Sequence, residues 1–145
     1  MKKEFKKAFT LIEMMVVIFI IGVIVYLSII SFTNTEEISR NTARINDIKQ
    51  IQLSLEEYYK YESSYPDTLN FGGPLKSPSN NKIILAMTPK NPIPRDDGSC
   101  PDEEYQYSYD AENKTYTLTF CISDETLDLD GGTYQAVPSG IIKIE

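Results

Sequence analysis

The chain has 145 residues, a formal net charge of −7 and no histidine. This length is enough for one modest domain, and the acidic balance argues against broad binding to the phosphate backbone of nucleic acids. Without histidine the chain lacks the commonest general base and metal ligand, and it has neither a nucleophile motif nor a phosphate-binding loop, so we do not expect an enzyme.

The first predicted element is an apolar helix over residues 9–32, preceded by four lysines within residues 1–8. As an α-helix these residues span about 36 Å, which exceeds the hydrocarbon core of a bilayer, about 30 Å thick. The lysines predict a cytoplasmic N-terminus and a body outside. A cleaved secretory signal would have a shorter apolar region, and a plain signal anchor gives no reason for Glu13 inside the run.

The stretch KKAFTLIEMMVVIFIIGVI resembles the N-terminus of type IV prepilins and type II secretion pseudopilins. In that family a short basic leader ends in a small residue, which Phe-Thr-Leu-x-Glu and an apolar helix follow. The resemblance implies that residues 1–8 are a leader peptide, that a prepilin peptidase cleaves between Ala8 and Phe9, and that the new Phe9 amine is methylated. Ala8 departs from the glycine that is usual in the family.

The resemblance also implies a partner for Glu13. A carboxylate in an apolar segment is unfavourable unless it is paired. After cleavage, the cationic Phe9 amine of an incoming subunit can meet Glu13 of its neighbour, so Glu13 is the expected assembly residue. The implied partners are identical or homologous pilin subunits, the prepilin peptidase, the inner-membrane assembly machinery and the membrane. No specific nucleic acid is indicated.

Residues 33–62 are predicted to be the amphipathic half of the same helix. Polar residues, Arg44 and Asp47 among them, are expected to face away from the apolar stripe. The segment Asn34-Thr-Glu-Glu, after Thr33, is an N-cap signature that either restarts a helix or reinforces a continuous one. Because no proline precedes Pro66, we expect one helix from about residue 9 to about residue 62. The apolar stripe consists of Ile38, Ile45, Ile48, Ile51, Leu55 and Tyr58.

Residues 63–145 are predicted to be an extracytoplasmic globular β region. Ser63-Ser-Tyr-Pro66 ends the helix, and residues 66–101 read as an irregular connection in which residues 82–87 are a candidate strand or helical turn. Residues 105–120 alternate about a turn at 110–114, which predicts a β-hairpin, and further strands are expected at 133–137 and 141–144. The predicted fold is α+β and pilin-like: a long N-terminal helix, transmembrane in its first half, packed on a small antiparallel sheet.

Two features of the globular region are candidate sites. Cys100 and Cys121 flank the hairpin on the oxidising side of the membrane, so a disulfide across the hairpin mouth is expected, with two free thiols as the alternative. Asp124, Asp128 and Asp130 gather oxygens before two glycines, although their spacing is not that of an EF-hand. They are a candidate calcium site, with a solvated acidic loop as the alternative; no other cofactor is indicated.

The resemblance implies a structural subunit of a type IV pilus or a type II secretion-type pseudopilus, polymerised through its N-terminal helix. Such a subunit is a single-pass membrane protein before assembly and part of a cell-surface pilus or envelope pseudopilus afterwards. A minor component that primes or tips the filament is the alternative within the family. The alternative from another class is a monomeric membrane-anchored extracytoplasmic binding module. Glu13 and the Ala8–Phe9 junction separate these two classes.

Overall fold

The computed structural model of the chain describes residues 9–96 and 98–144, with only the backbone described for residues 29–34. Within this part of the chain one helix is followed by short strands that pair antiparallel, so the predicted α+β architecture is confirmed. The elements are α1 (Leu11–Glu62), β1 (Leu75–Lys76), β2 (Ile83–Leu85), β3 (Gln106–Asp110), β4 (Thr115–Ile122), β5 (Gly132–Val137) and β6 (Gly140–Lys143).

Helix α1 runs without a break through residues 33–37, so the N-cap signature there starts no new helix. The helix ends where the sequence predicts, because Ser63 adopts a left-handed conformation (φ 56°) and its N–H bonds to the carbonyl of Tyr59. Contacts along the chain divide it into two compact units, Met1–Glu36 and Glu37–Glu145.

The main sheet of the second unit has the strand order β3-β4-β5-β6. The predicted hairpin is present: Tyr107 pairs with Leu118 and Tyr109 with Tyr116, with the turn between Asp110 and Thr115. Residues 82–87, predicted to be a strand or a helical turn, contain the strand β2. It pairs with β1, a two-residue strand in a stretch for which the sequence predicts no strand.

The core lies between α1 and one face of the main sheet. Along β4 every second residue is buried, which places one side of the strand against the helix. Ile38 was predicted to belong to the apolar stripe of the helix that packs on the sheet. This prediction was wrong, because its side chain is 49% exposed. The buried residues of the helix are Ile45, Ile48, Ile51, Leu55 and Tyr58, and those of the sheet include Tyr116, Leu118, Phe120, Ile122, Tyr134 and Ala136.

Tyrosines fill the end of this core. The ring of Tyr65, just after α1, packs edge-on against Tyr116 at 4.7 Å between centroids and lies 4.9 Å from Tyr59. Tyr107 stacks on Tyr116 at 6.2 Å. Aromatic pairs at such distances stabilise a core beyond the area they bury.

Candidate functional site

The N-terminal motif starts just before the described part of the chain. Ala8 lies outside the described residues, so the leader side of the expected cleavage site has no structural account. Phe9 and Thr10 precede the first residue of α1, and the side chain of Phe9 is exposed. The expected scissile bond therefore precedes the first residue of α1 in the sequence.

Thr10 and Glu13 bind each other across the first turn of α1. The Oγ1 atom of Thr10 accepts a hydrogen bond from the backbone N–H of Glu13 at 3.3 Å. In return, Oε2 of Glu13 accepts one from the backbone N–H of Thr10 at 3.4 Å. This reciprocal arrangement is a capping box, with Thr10 as N-cap and Glu13 as the third helical residue.

The capping box gives Glu13 a function within a single chain, which the sequence interpretation missed. Backbone N–H groups at a helix start have no partner in the helix, and in apolar surroundings such groups are costly. The carboxylate satisfies one of them, and its charge lies at the positive end of the helix dipole. The sequence does carry the signal for this capping box, since Thr10-x-x-Glu13 directly precedes an apolar run.

After the capping box, α1 is apolar on all sides for about five turns. By length and composition alone Leu11–Ser28, with a mean hydropathy of 2.6, is able to cross a membrane; a signal sequence near an N-terminus passes the same test. None of this segment is buried against the rest of the chain. An apolar helix with no protein cover requires lipid or other chains around it, which fits a single-pass membrane-anchored pilin.

Cys100 and Cys121 form a disulfide, with their Cα atoms 5.6 Å apart. Cys121 lies in β4 and Cys100 precedes β3, so the bond closes the open end of the hairpin, as expected. A cross-link over a loop of this size commonly stabilises a small domain by about 2–4 kcal/mol.

A buried arginine holds one loop against α1. Arg44 is fully buried, although the sequence placed it on the polar face of the helix. Its Nε donates to Oδ1 of Asn91 at 3.0 Å, and its Nη2 donates to the carbonyl oxygens of Pro94 at 3.5 Å and Arg95 at 3.3 Å. The helix is therefore covered on a second side, by residues 91–95, which sequence periodicity does not reveal.

Asn41, one turn before Arg44, joins this network to a second loop. Its Oδ1 accepts from Nη1 of Arg44 at 2.8 Å and from Oγ of Ser123 at 3.1 Å, while its Nδ2 donates to Oγ1 of Thr126 at 3.3 Å. Two polar residues of one helix turn thus hold residues 91–95 and 123–126 in place. We call Asn41, Arg44, Asn91 and these bonds the Arg44 network.

The carboxyl of Asp47, a half-buried residue of α1, has a pKa that its surroundings shift. Burial raises the pKa of its carboxyl above the ordinary value; a hydrogen bond from Oη of Tyr105, at 3.1 Å, opposes the rise, and the negative charge of Glu104 adds to it. Burial likewise raises the pKa of the Tyr105 hydroxyl, so the hydroxyl remains the donor.

Replacing Asp47 by Asn should raise the melting temperature at pH 7 by roughly 2 °C. Because the carboxyl pKa is raised in the folded state, ionisation of Asp47 destabilises the fold. The stability present with a protonated Asp47 is complete below the unfolded pKa and is lost as the pH rises through the folded pKa. The advantage of Asn should therefore shrink as the pH falls through the raised folded pKa, and it should be lost below about pH 4, the ordinary value for an aspartate. Thermal unfolding of the full chain in detergent, followed by tyrosine circular dichroism, measures both.

The matched control for Asp47→Asn is Glu112→Gln, which removes one negative charge from the exposed hairpin turn. Equal gains for the two variants would show that relief of the overall acidic charge, and not burial of Asp47, causes the effect.

The acidic loop after β4 offers no grouped ligand set. Among the described residues, no three acidic or other metal-binding side chains lie together as a metal ion requires, and Asp124, Asp128 and Asp130 are not brought together. The loop is held by its own bonds instead: the backbones of Thr126 and Leu129 pair with each other, and the carbonyl of Asp130 accepts from Oη of Tyr134 at 2.8 Å.

Comparison with known proteins connects the N-terminal geometry to a family signature. Residues 5–25 match the family described as the prokaryotic N-terminal methylation motif. The chain has no match among the curated proteins and none among the solved structures searched.

The matched segment includes the Ala8–Phe9 junction, the Thr10–Glu13 capping box and the start of the apolar part of α1. The motif points to a structural and not a catalytic protein, and it implies processing by a prepilin peptidase and assembly with other pilin subunits. Over residues 5–25 the chain carries the prepilin-type signature of type IV pilins and pseudopilins.

Proposed function

We propose that this protein is a structural subunit of a type IV pilus or of a type II secretion-type pseudopilus. In this proposal residues 1–8 are removed, the Phe9 amine is methylated and the subunit polymerises through α1. The observation that carries the proposal is the match of residues 5–25 to the methylation motif. Support comes from Leu11–Ser28, whose uncovered apolar surface suits a bilayer before assembly and helix packing within a filament afterwards.

In the assembled filament, Glu13 pairs with the Phe9 amine of an incoming subunit. Opposite charges attract strongly where the dielectric constant is low. The capping box is compatible with this role, because a carboxylate accepts at both oxygens and only Oε2 is needed for the bond from Thr10. The capped carboxylate is also held in one place, which lowers the entropy lost when the amine binds.

The remaining assignments follow from this function. Before assembly the subunit spans the inner membrane once, with residues 1–8 cytoplasmic, residues 9–32 in the bilayer, and residues 33–62 and the globular region 63–145 outside. Its partners are the prepilin peptidase, the inner-membrane assembly machinery and identical or homologous pilin subunits. Its final location is a cell-surface pilus or an envelope pseudopilus.

The first test is the N-terminus of the mature protein. We expect cleavage between Ala8 and Phe9 and one added methyl group on the Phe9 amine, because the basic leader, the small residue and the Phe-Thr-Leu-x-Glu sequence coincide. Mass spectrometry of the N-terminal peptide from native membranes measures both changes.

Two variants sharpen this test. Ala8→Gly restores the small residue usual in the family and should be processed at least as well, whereas Ala8→Glu should accumulate as the uncut precursor. A mature chain that still begins at Met1, or that starts beyond Phe32, contradicts the proposal. The first of these results would favour the membrane-anchored binding module.

A further inference from the structure

The sequence contains one Asn-x-Ser/Thr triplet, Asn113-Lys114-Thr115. This triplet is the acceptor sequence for N-linked glycosylation, in which a sugar is joined to the amide nitrogen of the asparagine. The chain has eight asparagines, and the other seven lack a hydroxyl residue two positions later. Because so short a pattern also arises by chance, its place in the fold decides whether an enzyme can use it.

Asn113 lies at the tip of the hairpin formed by β3 and β4. Residues 111–114 form the turn, and all four are exposed. Lys114 adopts a left-handed conformation (φ 50°), which returns the chain into β4. The Cys100–Cys121 disulfide closes the opposite end of this hairpin, so the turn is the free end of a cross-linked pair of strands. An exposed turn in this position is open to an enzyme without unfolding of the sheet.

Asp110, the last residue of β3, holds the amide of Asn113 in place. Nδ2 of Asn113 donates to Oδ2 of Asp110 at 2.7 Å. Oδ1 of Asp110 accepts from the backbone N–H groups of Glu112 at 3.0 Å and Asn113 at 3.1 Å. The bond from the Asn113 side chain is the main reason that the pKa of the Asp110 carboxyl is lowered. The turn is therefore pre-organised, which reduces the entropy lost when an enzyme binds it.

Thr115, the first residue of β4, lies on the face of the strand that the helix does not cover. The buried positions of β4 are every second residue from Tyr116 onward, so Thr115 belongs to the opposite face and is half-buried. The hydroxyl that the acceptor sequence requires two positions after the asparagine is thus on the more open side of the sheet. A hydroxyl both donates and accepts hydrogen bonds, which a valine of similar shape cannot do.

We propose that Asn113 is an N-glycosylation site, modified on the outer side of the membrane by a transferase that uses a sugar carried on a lipid diphosphate. Nδ2 of Asn113 forms a bond to the anomeric carbon of the sugar. The bond between that carbon and the diphosphate oxygen breaks, and the lipid diphosphate leaves with the bonding electrons. One amide proton passes to a base of the transferase, and nothing is oxidised or reduced. The inference rests on the proposed function, because that function places residues 63–145 outside the membrane.

Mass spectrometry of the full mature chain, purified from the cells that make it naturally, tests the proposal. After reduction and digestion, the peptide that contains Asn113 should carry the added mass of a sugar and release sugar fragment ions. Asn113→Gln and Thr115→Val should each lose this mass completely, whereas Thr115→Ser keeps the triplet and should keep the sugar. The matched control is Thr117→Val, which removes a half-buried hydroxyl from the same face of β4 and should leave the modification unchanged.

An Asn113 peptide without sugar in the mature protein overturns the proposal, as does a sugar that survives Thr115→Val. Leader cleavage, measured in the same sample, separates this inference from the proposed function. A chain that is cleaved and methylated at Phe9 but carries no sugar contradicts the glycosylation alone, whereas a chain that keeps its leader contradicts the proposed function. An intact disulfide in every variant, shown by alkylation without reduction, verifies that loss of the sugar is not caused by misfolding.

Discussion

A chain with Glu13→Val is expected to be made, inserted and cleaved, but to fall roughly a hundredfold in filaments, because removing one member of a poorly hydrated charge pair commonly has an effect of this size. Insertion should not suffer, since an ionised side chain costs about 2.5–3.5 kcal/mol at a helix centre and less towards an end, where Glu13 lies. The measurement is the ratio of protein in sheared filaments to protein in membranes.

The capping box makes it possible to separate the two roles of Glu13. Glu13→Gln keeps an acceptor for the N–H of Thr10 but loses the charge, so it should assemble at an intermediate level. Thr10→Val removes the hydroxyl of the capping box and leaves the carboxylate, and it should assemble nearly normally. If Thr10→Val fails as completely as Glu13→Val, the start of the helix and not the charge limits assembly. Equal ratios for all versions would mean that the carboxylate is tolerated and not used.

Arg44→Ala should destabilise the globular unit by about 3 kcal/mol or more, because it leaves several buried acceptors without donors and opens a cavity. The melting temperature should fall by roughly 10–20 °C. Arg44→Lys should restore little, since one ammonium group cannot reach acceptors on Asn41, Asn91 and the loop carbonyls with the fixed geometry of a guanidinium. Thermal unfolding of the full chain in detergent measures the loss.

The control for Arg44→Ala is Lys60→Ala, which removes an exposed cation from the last turns of the same helix and should change stability by about 0.5 kcal/mol at most. Equal melting temperatures for the Arg44→Ala and Lys60→Ala variants would contradict this prediction. They would show that the Arg44 network neither stabilises the globular unit nor is needed to hold residues 91–95.

Sequence periodicity predicted the elements that a single pattern controls. The alternation in β4 and the polar turn at 110–114 gave the hairpin, and the three- and four-residue spacing of Ile45, Ile48, Ile51 and Leu55 gave the buried face of α1. It failed for Arg44, which residues 91–95 cover, and for Ile38, which is 49% exposed although it continues the apolar spacing. Strand β1 was missed for a related reason: two residues carry no period, and only pairing with β2 defines them.

In the candidate site, too, features defined by neighbouring residues could be predicted, whereas contacts between residues far apart in the sequence could not. The methylation motif is a local pattern and was recognised from residues 6–24, and Cys100 and Cys121 were paired correctly from their positions about the hairpin. The capping box was also local, yet it was overlooked because Glu13 was interpreted as needing a partner in another chain. The Arg44 network could not be predicted, since Asn41 reaches residues 82 and 85 positions away.

Those long separations have a consequence for the order of events during synthesis. The ribosome releases residues 45–55, with their apolar stripe, well before β4 and β5, which cover that stripe in the finished protein. Until Ala136 has emerged, the helix has no complete surface to pack on, and its long-range contacts cannot form early. A chain that ends prematurely, anywhere before β4, therefore displays four neighbouring aliphatic side chains (Ile45, Ile48, Ile51 and Leu55) to proteases and chaperones, which recognise such exposed surface.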